Sequence, residues 1–149
     1  MQETNAVVMG RITWESIPPR FRPLKDRKNF VVSRQLNPES APGGVVVSSI
    51  DAATETAGSL GGRTFVIGGA QIYKAALEKE QAKRVLLTRV LTDFECDAFF
   101  PIQLNEDGKS EGWERKSKEE LDRWVGETVP EGVQEEEGTK YVFEMWERA

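Results

Sequence analysis

The sequence predicts an α/β protein with a mixed, mostly parallel central sheet flanked by helices, and an antiparallel strand pair near the C-terminus. Short apolar runs, such as residues 6–9 and 45–47, alternate with helical patterns, which is typical of βαβ units in a parallel sheet. The last third changes character, because residues 113–116 and 141–146 have the composition of antiparallel strands and the second alternates in part.

The composition indicates one globular domain over residues 1–149. Hydrophobic residues make up 38% of the chain and charged residues 30%, which is enough apolar material for a core. The net charge of -5 argues against nucleic acid as a partner, since phosphate binding depends on clustered cations. No apolar run approaches transmembrane length and the N-terminus resembles no secretory signal, so we expect no membrane partner and a cytoplasmic location.

Residues that hold metals or build nucleophilic triads are scarce. The chain has no histidine and one cysteine, Cys96, which excludes a zinc site, a Ser-His-Asp triad and an internal disulfide within one chain. We expect Cys96 to be buried and inert, in a reducing compartment. A carboxylate site for Mg²⁺ has no visible motif, and no metal is predicted.

A strand, a glycine pair and a helix follow one another in the middle of the chain. Residues 64–67 predict a fully buried strand, Gly68-Gly69 a tight turn, and residues 70–79 a helix. This arrangement points backbone N–H groups at a ligand above the turn, and glycines let an anion approach closely. The alternative is a connection that needs small residues only for close strand–helix packing, and the segment alone leaves both interpretations open.

The same arrangement occurs near the N-terminus. Residues 6–9 predict a buried strand, Gly10 ends it, and residues 11–17 predict a short helix stopped by Pro18-Pro19. Two such units in one sheet can bring two helix N-termini to the same edge, which suits a ligand with separated phosphates.

A basic, proline-rich loop follows this helix and leads to the next strand. Residues 18–28 should form an extended loop, and their cations either bind a ligand or form a solvated face. Residues 29–32 predict a strand, and Ser33 and Arg34 just beyond it could bind a phosphate monoester.

Two further helices, a strand and two less regular segments are predicted in the rest of the chain. Ser48 or Ser49 should cap a helix that begins near Asp51 and ends by Gly58. A strongly apolar strand is predicted over residues 84–90, where Thr88 is either a buried threonine satisfied by backbone or a ligand contact. Residues 93–101 are predicted to be a loop, residues 134–138 a solvated turn or loop, and residues 121–126 a short helix.

Five segments, taken together in order and spacing, resemble dihydrofolate reductase, most closely a eukaryotic and fungal member. They are residues 8–18, 22–27, 31–34, 65–73 and 93–101. The resemblance extends from about Asn5 to the C-terminus, and it implies an NADPH-dependent oxidoreductase that forms tetrahydrofolate for one-carbon metabolism.

The resemblance implies a cofactor site for NADPH at the two glycine turns and beyond the strand at residues 29–32. Arg11 and Arg34 would pair with the 2′-phosphate, and the Gly68–Gly69 peptide would be cis. The implied cofactor residues are Gly10, Arg11, Ile12, Thr13, Ser33, Arg34, Gln35, Ile50, Ile67, Gly68, Gly69, Ala70, Gln71, Ile72 and Tyr73.

The resemblance also implies a site for dihydrofolate and antifolates. Arg27 would bind the α-carboxylate of the glutamate tail, a task that suits a planar guanidinium. Asp26 stands where the family more often has glycine, and its charge could compete for Arg27. The implied substrate residues are Ile17, Phe21, Leu24, Arg27, Ile67, Tyr73 and Thr88.

The family's N-terminal strand, mobile loop and acid-bearing helix have no counterpart in this sequence, so no catalytic residue is assigned. The missing strand would lie between residues 64–67 and 84–90, and we expect poor turnover, since general acid–base catalysis contributes roughly 10²–10⁴-fold. A complete protein would be a monomer, whereas a truncated one could exchange strands or associate. Two classes remain open: an N-terminally incomplete reductase, or an inactive nucleotide-binding or interaction protein derived from one.

Overall fold

The computed structural model describes residues 3–91 and 100–149 and divides into two compact units, Met1–Glu78 and Lys79–Ala149. The predicted loop at residues 93–101, including Cys96, lies almost wholly outside the described residues. The prediction of a single domain over residues 1–149 stays a prediction. No helix in the described ranges is long and apolar enough to span a membrane, and these ranges contain no cluster of metal-ligating side chains.

The first unit is a parallel sheet with three helices. Its strands are β1 (Thr4–Gly10), β2 (Lys28–Val32), β3 (Val45–Val47) and β4 (Gly61–Val66), and its helices are α1 (Arg11–Ser16), α2 (Ile50–Gly58) and α3 (Ala70–Leu77). The strand order is β3-β2-β1-β4, and every pairing is parallel. The parallel sheet predicted from alternating strands and helices is therefore confirmed.

The central strand β1 is buried on both faces, as expected for a parallel strand covered by other elements. Ala6 and Val8 face a cluster that includes Phe30 and the α2 residues Ala53 and Ala57. The alternate residues of β1 face a second cluster, formed by Val7, Met9, Trp14, Val31 and Ala41.

The second unit is an antiparallel sheet with one helix. It contains β5 (Arg84–Val90), β6 (Trp113–Arg115), α4 (Lys118–Val125), β7 (Gln134–Glu136) and β8 (Thr139–Arg148). The strand order is β5-β8-β6, with β7 also paired to β8. The antiparallel C-terminal pair is confirmed. The prediction of a turn or loop over residues 134–138 is wrong for Gln134–Glu136, which form β7, whereas residues 137–138 form the turn between β7 and β8.

Two strands are more exposed than their apolar composition indicates. β4 begins at Gly61 and was expected to be fully buried, but Thr64 is exposed and the residues after it are only half-buried. In β5 exposed and half-buried residues alternate. Each is the end strand of its own sheet within the described residues, which accounts for the exposure. A further strand between them stays a prediction.

Helix boundaries differ by a few residues from those predicted. Ser49 caps α2 by accepting a hydrogen bond from the Ala52 N–H at 3.1 Å, so the helix begins at Ile50. The prolines of the basic loop permit one 3₁₀ turn, Pro19–Phe21, where only extended chain was expected. α3 ends at Leu77, two residues before the predicted end.

Candidate functional site

The two glycine turns lie side by side at one edge of the parallel sheet. Gly10 ends β1, and its N–H donates to the carbonyl of Gly68 at 2.8 Å. The Ile67 N–H, just after β4, donates to the carbonyl of Val8 at 2.9 Å. Because β1 and β4 are parallel neighbours, α1 and α3 both begin at this edge. The predicted convergence of the two turns is confirmed.

The three glycines of these turns are needed for different reasons. A Cβ on Gly10 would lie 3.1 Å from Cγ1 of Ile72, so this glycine permits close packing of α3 against the first turn. Gly68 has φ +117°, a conformation that favours glycine, and the ring of Tyr73 covers it. A Cβ on Gly69 would meet only the Thr13 hydroxyl, at 3.9 Å. Only the exposed Gly69 leaves open space above the turn.

The Gly68–Gly69 peptide is cis, as the resemblance implies. Tyr73 donates its backbone N–H to the Gly69 carbonyl at 2.9 Å, which closes the first turn of α3. Burial raises the pKa of the Tyr73 hydroxyl above its ordinary value, so this group remains a neutral phenol at physiological pH. Ile72, next to it on α3, faces Gly10.

The helices at these turns begin differently from the other two helices. Ser49 and Ser117 cap α2 and α4, and acidic residues occupy the first turns of both. In contrast, α1 and α3 begin after glycine, and within the described residues they have no side-chain cap and no acidic residue in the first turn. The first amides of a helix have no partner within it. The amides of α1 and α3 are therefore suited to an external anion.

The first turn of α1 presents exposed side chains beside the glycines. Arg11 is half exposed and forms a loose ion pair with Glu15, with 3.7 Å between Nε and Oε1. Ile12 is 78% exposed, and the Thr13 hydroxyl points toward Gly69. At the start of α3, Gln71 is exposed and Ala70 half-buried.

The predicted adenosine residues follow β2. The Ser33 N–H donates to the Val47 carbonyl at 2.9 Å, and its hydroxyl oxygen accepts from the backbone N–H groups of Gln35 and Leu36. This local turn exposes Arg34 and Gln35 to solvent. Ile50, by contrast, is 6% exposed at the start of α2 and presents almost no surface to a ligand in this conformation.

The predicted substrate residues of the first unit lie along and after α1. Ile17 is the C-terminal cap of α1, and it packs with Leu24 and Ile67 against the cluster that contains Trp14. Phe21 is 53% exposed, and the guanidinium of Arg20 lies 4.8 Å from its ring centroid. The exposed Phe21 ring could receive a flat, apolar portion of a ligand.

Arg27 projects from a tight turn just before β2. Asp26 has φ 62°, a left-handed conformation that favours glycine. The Arg27 Nε donates to the Lys25 carbonyl at 2.7 Å. The described part of the chain contains no ion pair between Asp26 and Arg27, so Asp26 does not occupy the guanidinium in this conformation.

Thr88 belongs to the second unit. It lies on β5 opposite Phe143 of β8, and it is exposed. The buried environment expected for this threonine is therefore wrong. Its proposed contact with the same ligand as Ile67 and Tyr73 stays a prediction.

One residue of this region was not singled out from the sequence. Asn29, the second residue of β2, is 1% exposed and is the only buried polar or charged residue found in the described ranges. Its side chain forms three hydrogen bonds to the turn that carries Arg27. An asparagine at the buried start of an apolar strand, directly after a turn, is the sequence signal that could have identified it.

The fold and these turns define a class: an α/β protein whose parallel sheet carries two uncapped, glycine-preceded helix N-termini at one edge. The family model for dihydrofolate reductase matches residues 1–147. The chain belongs to the dihydrofolate reductase family of oxidoreductases.

Individual relatives agree with this match. The dihydrofolate reductase of Pneumocystis carinii is 42% identical over 155 residues, which cover 99% of this chain and 75% of the relative. That of Cryptococcus neoformans is 38% identical, covering 97% of this chain and 74% of the relative. That of Gallus gallus is 39% identical, with 97% and 73% covered. The predicted family is confirmed, and it favours the reductase class over an inactive derivative.

Proposed function

We propose that this protein reduces 7,8-dihydrofolate to 5,6,7,8-tetrahydrofolate with NADPH, a reaction of one-carbon metabolism. The observation that carries the proposal is the pair of uncapped helix N-termini at Gly10 and Gly69, adjacent at one sheet edge and without first-turn acids within the described residues. Membership of the reductase family supports the same conclusion.

NADPH suits the groups at these turns. Its pyrophosphate is a double anion, and backbone amides at two neighbouring helix starts offer separated donors to such a group. The open space above Gly69 allows close approach, and the Thr13 hydroxyl beside it can donate to a phosphate oxygen. When bound, NADPH supplies the hydride of the reaction.

The basic residues would select NADPH over NADH. Arg34 and Arg11 are exposed, and a guanidinium forms strong charge-assisted hydrogen bonds with a phosphate monoester. The turn closed by the Ser33 hydroxyl holds Arg34 beside Gln35, where both can surround the adenosine. Ile50 would approach adenine only at its small exposed edge.

Dihydrofolate and antifolates would bind along the loop after α1. Ile17, Phe21 and Leu24 offer apolar contacts for the aminobenzoyl group, and Arg27 would bind the α-carboxylate of the glutamate tail. Ile67, Tyr73 and Thr88 are assigned to the pterin and nicotinamide. No residue of this chain is assigned as the donor of the N5 proton. The expected poor turnover, the cytoplasmic location and the oligomeric state stay predictions.

The test combines turnover with selective cofactor binding. Dihydrofolate-dependent loss of NADPH absorbance measures turnover, and quenching of tryptophan fluorescence measures NADPH and NADH binding separately. Arg34→Gln should weaken NADPH binding by roughly 10–100-fold, the loss of one or two charge-assisted hydrogen bonds, and leave NADH binding unchanged. Arg123→Gln, an exposed arginine on α4, is the matched control and should change neither.

Two outcomes would contradict the proposal. If neither NADPH nor NADH quenches the tryptophan fluorescence of the wild-type chain, the protein lacks the cofactor site. Equal weakening of NADPH and NADH binding by Arg34→Gln would mean that Arg34 supports the fold and does not recognise the 2′-phosphate.

A further inference from the structure

We propose that Asn29 is a positioning residue that holds the turn of Arg27, so that the guanidinium is ready to bind the α-carboxylate of a folate tail. This inference rests on the proposed function, because it concerns the substrate of the same site. It is carried by the three hydrogen bonds of a buried amide, all of which go to the turn.

The amide of Asn29 satisfies three backbone groups of the turn. Its Oδ1 accepts from the Leu24 N–H at 2.9 Å, and its Nδ2 donates to the carbonyls of Leu24 at 3.0 Å and Arg27 at 3.1 Å. Leu24 is thereby bound through both its N–H and its carbonyl, as a residue in a sheet would be. The turn is anchored at both ends to one side chain.

The anchor itself is rigid. Asn29 is paired with Val7 of the central strand β1 and is 1% exposed. Fixing its side chain therefore transmits the position of the sheet to a turn whose residues 25–27 are exposed. Residues held in this way are better preorganised than residues on free loops, and preorganisation reduces the entropy lost on binding.

Only asparagine supplies this combination at this length. The turn requires one acceptor and two donors, which a primary amide provides. Aspartate would place an oxygen against two carbonyl oxygens, and serine is too short to reach both ends of the turn. Glutamine adds a methylene that a close-packed interior must accommodate.

The hydrogen bonds of the Arg27 carbonyl and Nε leave its two terminal nitrogens, Nη1 and Nη2, available for a ligand. Asn29 holds the Arg27 carbonyl, and the Lys25 carbonyl holds its Nε at 2.7 Å. Within the described residues, no acceptor contacts Nη1 or Nη2 of Arg27. These two groups can bind the two oxygens of a carboxylate end-on, in the parallel geometry that makes such pairs specific.

A purely structural role would produce a different result. If Asn29 only stabilised the fold, its loss would weaken all ligands of the site to the same degree. If it positions Arg27, the loss is confined to ligands that carry the glutamate tail. Folate and pteroate, which is folate without glutamate, separate these two cases.

The experiment measures folate and pteroate affinity, by fluorescence quenching, for wild type, Asn29→Ser, Arg27→Ala and the double variant. Wild type should prefer folate, and Arg27→Ala should abolish the preference. Asn29→Ser should reduce the preference about tenfold, which is about 1.4 kcal/mol, with pteroate affinity unchanged. The double variant should match Arg27→Ala. Asn37→Ser, an exposed asparagine whose side chain caps nothing, is the control and should leave the preference intact.

If Asn29→Ser does not fold, amide hydrogen exchange of the wild-type protein provides a second test. The Leu24 amide should be protected in the free protein, because Asn29 accepts its hydrogen bond, and exchange at the rate of exposed loop amides would overturn the inference. Equal loss of folate and pteroate affinity in Asn29→Ser would also overturn it, and so would an additive double variant. Wild type that binds neither ligand would instead overturn the proposed function, and the inference with it.

Discussion

Replacement of Glu144 by glutamine should destabilise the second unit far more than the same replacement three residues further along β8. Glu144 Oε2 accepts from Arg89 Nε at 2.8 Å, and Oε1 accepts from Arg89 Nη2 at 3.1 Å and from Trp146 Nε1 at 2.9 Å. The Arg89 and Glu144 side chains are only 17% and 9% exposed. Such a pair is hard to break, because the remaining charge stays out of water.

The size of the destabilisation by Glu144→Gln depends on which of these hydrogen bonds the glutamine side chain can keep. A glutamine oxygen can still accept from Trp146 and from Arg89 Nη2, but its NH₂ group would face Arg89 Nε, a donor against a donor. The lost charge-assisted bond and the unneutralised guanidinium together cost about 3 kcal/mol in the free energy of unfolding. Glu147 pairs with Arg84 at 3.3 Å, where the arginine and glutamate side chains are 36% and 29% exposed. Glu147→Gln should therefore cost only about 0.5 kcal/mol.

Urea unfolding at neutral pH measures both variants, and thermal unfolding should agree. At about 2–4 °C per kcal/mol for a chain of this size, Glu144→Gln should lower Tm by roughly 6–12 °C and Glu147→Gln by about 2 °C or less. Equal losses from the two variants would refute the assignment of the Arg89–Glu144 pair as a structural anchor.

The pH dependence gives a second check on Glu144. Burial raises the pKa of its carboxyl, but hydrogen bonds from Arg89 and Trp146 outweigh this, so the pKa lies below its ordinary value of 4.5. A depressed folded-state pKa contributes stability that is present above the unfolded value and is lost as pH falls through the folded value. The difference in the free energy of unfolding between wild type and Glu144→Gln should be constant at neutral pH and shrink below about pH 4.5. A stability difference that persists unchanged to pH 3 would contradict this account.

Two further substitutions test backbone conformation in the first unit by urea unfolding. Gly62→Ala should lower the free energy of unfolding by about 3 kcal/mol, because a Cβ there would collide with the Thr4 carbonyl and lie 2.7 Å from Asn5 Oδ1. The control is Gly58→Ala, where a Cβ would meet open space. This variant should raise the free energy of unfolding by about 0.5–1 kcal/mol. Equal effects would contradict the close approach of β1 and β4. Asp26→Gly should stabilise the protein by about 1 kcal/mol, since φ at Asp26 is 62°. The control, Lys25→Gly in the same turn, should destabilise it. A lower free energy of unfolding for Asp26→Gly than for wild type would exclude backbone strain at this residue.

The parts of the fold that were predictable are those that local chemistry decides. The apolar run of β1, the serine cap of α2 and the limits of β5 follow from residue types over a few positions. Three glutamates suggested a solvated turn or loop over residues 134–138, so β7 was missed but not the turn at Glu137-Gly138. Its two residues have φ 50° and 81°, the two-residue turn that closes a hairpin, and glycine in its second position was the available signal.

Burial was less predictable than secondary structure, because it depends on which strands lie next to each other. An apolar run such as β4 or β5 has the composition of a buried strand, yet each ends its sheet in the described residues. Local sequence holds no information about which strand lacks a neighbour. The role of Asn29 was hidden for the same reason, since its partners became visible only when the turn and the strand were placed together.

The starts of the helices connect the sequence to the proposed site. Serine before α2 and α4, with acidic first turns, makes those helix starts complete without a ligand. Glycine before α1 and α3 supplies neither a cap nor a charge, so their first amides stay unsatisfied by side chains in the described residues. The packing interpretation of the Gly68-Gly69 turn is supported by Gly68 and Gly10, whereas anion binding at Gly69 belongs to the proposed function. Gly68 and Gly10 are required for conformation and packing, whereas Gly69 leaves the space that an anion would fill.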